Sequence, residues 1–127
     1  MSRAVFFAAL MFSAPALADA RFFSAIDDLP LAPGLSETRG GFAFDGPEGR
    51  IIGARAAGAA TPDAVRAFYA ASLPALGWSL APEPSADAGS LHFVRGRERL
   101  TLAISEAGSG ALIEARLVIR PASMSVD

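Results

Sequence analysis

Two hydrophobic periodicities organise the chain. From Val65, the residues Phe68, Tyr69, Ser72, Leu73 and Leu76 recur at spacings that place them on one face of a helix. Thr61 offers a capping hydroxyl, Pro62 a rigid first helical residue, and Asp63 an acid where the helix dipole favours one. Pro74 is expected to kink or end this helix, and Gly77 to turn the chain so that Trp78 folds back on the last turn. After Trp78 the period falls to two. Reading Gly96-Arg97 and Gly108-Ser109 as two-residue turns sets Arg95 opposite Glu98, Phe93 opposite Leu100 and Leu91 opposite Leu102. It also sets Ile104 opposite Ile113, Leu102 opposite Ala115 and Leu100 opposite Leu117. Both turns give one register, and a one-residue slip in either would turn an apolar row to water.

Trp78 to Ala81 reads as a further strand ahead of Ser90, with Glu83 to Gly89 as a polar loop, giving a four-stranded antiparallel meander. Upstream, Gly41 to Asp45 reads as a strand, Gly46-Pro47-Glu48-Gly49 as a turn, and Arg50 to Ala56 as the return strand, weakened by Gly53. Between Arg21 and Arg39, isolated apolar residues stand among Pro30, Pro33 and Gly34, a spacing that forbids a helix. The segment is expected to be an extended arm with a turn at Pro33-Gly34. The predicted fold class is α+β: a two-layer domain with an antiparallel sheet, made of an N-terminal hairpin and then the meander, packed against one amphipathic helix. The pattern leaves open where the hairpin sits relative to the meander.

The first residues read as an address. Arg3 precedes an uncharged stretch from Ala4 to Ala18, and Ala16-Leu17-Ala18 has the small residues of a leader-peptidase site. Ala18-Asp19-Ala20 offers a second cut. Pro15 and Asp19 interrupt the run before it reaches the ~20 apolar residues of a membrane span. The expected organisation is a signal peptide over 1–18, an arm over 19–39, one α+β domain over 40–121 and a flexible tail over 122–127. The mature protein is expected to be periplasmic or secreted, with no transmembrane anchor after cleavage.

Composition narrows the chemistry. A chain of 127 residues with 52% apolar and 19% charged positions can bury one core but not two. Every one of its 11 basic residues is arginine, and it has no cysteine, so Schiff-base, thiolate and zinc–thiolate chemistry are absent. A net charge near −2 without a basic run lacks the electrostatic footprint of a nucleic-acid binder. No phosphate loop or Gly-x-Ser-x-Gly elbow is present; Ser109 is spent on a hairpin turn. Asp27, Asp28, Asp45 and Glu48 lack the alternating spacing of a calcium loop, so neither a metal nor a cofactor is expected.

Two candidate surfaces remain. The register places His92, Thr101 and Arg116 in one row across three strands on the face away from the core, flanked by Arg99 and Glu114. Such a row suits anion binding or proton transfer, although mixed polar residues also describe an ordinary wet sheet face. The other candidate is the arm. Phe22, Phe23, Leu29, Leu31 and Leu35 are the residues of a ligand or partner surface, unless the arm closes the open end of the core and buries them.

Three segments occur in a distinctive order: Leu29-Pro30-Leu31-Ala32-Pro33-Gly34-Leu35, Phe44-Asp45-Gly46-Pro47-Glu48-Gly49-Arg50-Ile51, and Phe68-Tyr69 running through Leu73-Pro74-Ala75-Leu76-Gly77-Trp78. The chain resembles a group of small exported proteobacterial proteins, mostly alphaproteobacterial, that share a PLxPGL arm and an FY…LPxLGW segment. The likeness extends from about Leu29 to Pro121. It implies export and a single domain, and brings no catalytic residue with it.

These observations predict a non-catalytic accessory or binding domain of the bacterial envelope, acting on an envelope protein or a hydrophobic ligand. Two readings compete with it. One is a small envelope enzyme using His92, Thr101 and Arg116; the other is a structural component that oligomerises through the outer sheet face or the edge left by the last strand.

Overall fold

The computed structural model describes residues 21–81 and 89–121. The leader, the polar loop from Glu83 and the tail from 122 lie outside the described residues, except for Gly89.

The helix follows its sequence signals. α1 spans Pro62–Ser72, and the Thr61 hydroxyl accepts a hydrogen bond from the Ala64 amide at 3.1 Å. Because Pro74 has no amide proton to continue the helical ladder, the chain tightens into a 3-10 turn, Leu73–Leu76. Gly77 then adopts a left-handed φ of 95°, and the Trp78 amide bonds back to the Leu73 carbonyl at 3.2 Å. Val65, Tyr69, Leu73 and Trp78 are buried, whereas Leu76 faces outward.

Six strands form one antiparallel sheet: β1 (Leu35–Gly46), β2 (Gly49–Gly58), β3 (Ser79–Leu80), β4 (Ser90–Arg95), β5 (Glu98–Ala107) and β6 (Gly110–Ile119), in the order β1-β2-β6-β5-β4-β3. The six cross-strand pairs expected of the meander are all present, from Arg95 with Glu98 to Ile104 with Ile113. Gly96 and Gly108 open the two turns at φ 60° and 61°, a region closed to most other residues.

The hairpin joins the meander through β2 and β6, with Ile52 opposite Leu117 and Ala56 opposite Ile113. The last strand is therefore interior, and the sheet edges are β1 and β3. An oligomer built on an edge left by β6 is ruled out. β1 also begins six residues before the expected Gly41, because Leu35 to Thr38 pair with Arg55 to Gly58.

The inner face of the sheet, with Phe93, Leu100, Leu102, Ile104 and Ile113, packs against α1 and against the segment before β1. That segment is folded rather than extended. The Phe23 amide bonds to the Leu29 carbonyl at 2.9 Å, and the Leu31 amide to the Arg21 carbonyl at 2.8 Å, closing a loop that pairs Phe22 with Pro30. A chain entering a core must satisfy its own peptide groups, and this loop does so internally. Phe23, Ile26, Leu29, Ala32 and Leu35 are at most 4% exposed, so the loop is part of the core. At ~1.5–3 kcal/mol for each large apolar side chain buried, it is a major source of stability.

Candidate functional site

The structure separates the two surfaces expected from sequence. In the arm, Phe23, Leu29 and Leu35 are core residues and Leu31 is half-buried against them; Phe22, at 47% exposure, is left outside. A ligand surface built from these five side chains is thus corrected to a packing surface. Its polar contacts have the same purpose. The buried Tyr69 hydroxyl donates to the Pro30 carbonyl at 2.7 Å and accepts from the Ala32 amide at 3.1 Å, fastening the Pro-rich segment to α1. Burial pushes the Tyr69 phenol well above its ordinary pKa, and the bond from Ala32 only partly offsets this. Arg95 reaches Glu98 at 2.7 Å, Asp28 at 2.8 Å and the Leu76 carbonyl at 2.9 Å, with its guanidinium carbon 4.1 Å from the Trp78 ring centre. The bond to Glu98 is the first cause of its raised pKa; partial burial opposes it, and Asp28 adds to the rise.

The polar row is assembled as expected. His92 lies opposite Thr101 and Thr101 opposite Arg116, and the structure extends the row through Gly53 to Phe42. This extension gives the face a shape. Between Thr38 and Phe42 the register of β1 shifts, so that Arg39, Gly40 and Gly41 stand where β2 offers Ala54 alone. The bulge bends the strand, with Gly40 at φ 110°. The Phe42 ring lies across Gly53, where a Cβ would overlap three of its ring atoms. Beside Phe42 is a concavity of about 390 Å³ lined by Gly53, Arg55, His92, Thr101, Glu114 and Arg116 among others.

The sides of this concavity differ in character. Arg55 and Glu114 are paired at 2.9 Å and neutralise one another at its rim. Arg116 is exposed and has no ion pair with any described residue, and the same holds for Arg99, its diagonal neighbour on β5. Thr101 Oγ1 and His92 Nδ1 stand 3.4 Å apart, at the outer limit of a hydrogen bond. No carboxylate orients the imidazole among the described residues. The adjoining row on this face is apolar over β1, β2 and β6, where Phe44, Ile51 and Val118 stand in line, and continues to Arg99 on β5. Phe42 and Phe44 are 52% and 58% exposed.

Sequence reasoning found His92, Thr101 and Arg116 with Arg99 and Glu114 at their flanks, but did not place Phe42, Gly53 or Arg55 beside them, because these reach the site only through the pairing of β2 with β6. The available signals were Gly40-Gly41 at the start of a strand, which marks a bulge, and Gly53 within one, which marks a close approach. A second depression, about 500 Å³, lies by the start of α1, but its Arg66 is already held by Asp63 at 2.7 Å. Among the described residues, no three potential metal ligands cluster and no helix is long and apolar enough to cross a membrane.

Comparison with known proteins gives two similarities. Residues 49–111 match the START domain-like family. The crystal structure of CalU16 from Micromonospora echinospora aligns with a TM-score of 0.40 and 19% identity, covering 70% of this chain and 74% of that one. No curated protein matches the sequence.

Proposed function

We propose that this is a non-catalytic binding domain, exported to the bacterial envelope, that holds a small, partly apolar ligand in the concavity beside Phe42. The observation that carries this reading is an aromatic ring bent over a glycine beside a hollow, on a sheet face where simple alternation calls for a wet surface. A monomer seldom leaves large apolar side chains grouped in the open without a use for them. The family similarity over residues 49–111 supports ligand binding, and the leader pattern from Arg3 to Ala18 supports export.

An amide-resolved NMR titration with decanol tests the binding reading. The expected result is saturable shifts confined to Gly53, His92, Thr101 and their neighbours, lost in Phe42→Ser. Shifts scattered over the surface, or none, would reject it. Replacing residues 1–18 with a signal-free start and finding the protein still outside the cytoplasm would reject export by this leader.

A further inference from the structure

Resting on that reading, we infer that the ligand is a single-chain amphipathic anion, its oxyanion head bound by Arg116 with Thr101 and its apolar chain laid along Phe42, Phe44, Ile51 and Val118. The inference comes from charge complementarity on one face of the sheet. Three arginines face outward on the middle strands: Arg55, Arg99 and Arg116. Arg55 is satisfied by Glu114, whereas Arg116 and Arg99 stand diagonally beside one another and neither forms an ion pair with a described residue. Neighbouring guanidinium groups repel, and a sheet face that keeps two of them unpaired is matched to negative charge from elsewhere. The Thr101 hydroxyl, directly opposite Arg116, adds a neutral donor, and His92 borders it.

The arrangement also excludes other ligands. A cation would meet the two free arginines, and a wholly apolar molecule would leave them desolvated and unpaired, which is costly. A free inorganic anion would satisfy the arginines but leave the aromatic row in water. A single-chain amphiphile matches both, because the apolar row of Phe44, Ile51 and Val118 runs directly beside the row that contains Phe42 and Arg116. The ligand is expected as a monomer taken from solution rather than as part of a bilayer, since the concavity of about 390 Å³ that holds its head at Arg116 and Thr101 has room for one small molecule, its chain continuing past Phe42 onto the open row of Phe44, Ile51 and Val118.

The test compares decanoate with decanol, below their aggregation limits, on the wild-type protein and on Arg116→Gln. Arg116 is exposed, so the variant is expected to fold, and its amide spectrum verifies this directly. Decanoate is expected to bind about tenfold more tightly than decanol, and Arg116→Gln to bring the ratio of the two affinities close to one. Equal affinity for the two probes, unmoved by the substitution, would overturn the anionic head but leave the binding site standing. Failure of both probes on a folded protein would overturn the binding reading and this inference together. Inorganic phosphate competing as strongly as decanoate would reassign the site to a free anion. Co-sedimentation with phosphatidylglycerol vesicles without decanoate shifts would assign the face to a membrane, and self-association that Arg116→Gln leaves intact would assign it to a second copy; each contradicts the inference.

Discussion

Tyr69 is the residue on which the two sequence signatures converge. Its hydroxyl holds both Pro30 and Ala32, so the Pro-rich arm and the Phe68-Tyr69 pair are two halves of one contact. Tyr69→Phe would leave a buried carbonyl and a buried amide without partners, and is expected to destabilise the fold by about 1–3 kcal/mol in urea unfolding. The same group makes a pH prediction. Its folded pKa is raised above the unfolded value, so its contribution is complete below about pH 10 and is lost as the pH climbs, the unfolded chain releasing its proton first. With one tyrosine, no cysteine and no lysine in the chain, little else titrates in that window. Wild-type stability is expected to fall above about pH 10 while Tyr69→Phe stays nearly flat, read as the urea midpoint against pH.

At the scale of the elements, the meander and the helix were legible because their signals are local. Alternation and two-residue turns fix Phe93 opposite Leu100 and Leu102 opposite Ala115 without reference to anything distant. Gly96→Ala and Gly108→Ala test this directly: each forces a side chain into the left-handed region and is expected to cost about 1–2 kcal/mol, measured by thermal or denaturant unfolding. The pairing of β2 with β6 was not legible, since it joins residues some sixty positions apart and no turn specifies it. The bulge in β1 was hidden for a related reason. Arg39-Gly40-Gly41 reads as the approach to a strand, and only its partner Ala54 shows that it is an insertion within one. The candidate site suffered accordingly: the polar row came from local register, while Phe42, which borders it across Gly53, came from the non-local hairpin.

For the whole molecule, the arm is better regarded as part of the core, beside α1 on the inner face of the sheet, than as an appendage. Phe23 is 1% exposed and Phe22 47%, although they are adjacent and identical. Phe23→Ser is expected to cost at least about 3 kcal/mol, and Phe22→Ser to stay within about 0.5 kcal/mol of wild type, both by urea unfolding. Comparable losses at both positions would return the arm to the role of a surface segment.

The interior position of β6 has an implication for biogenesis. During synthesis, β1 and β2 emerge early and β4 and β5 later, yet the ribbon that knits them together is the ten residues from Gly110 to Ile119, made after all of them. Until it arrives, the nascent polypeptide is two unjoined hairpins that cannot close. A chain wired in this way cannot complete its sheet before the segment from Gly110 to Ile119 has been made.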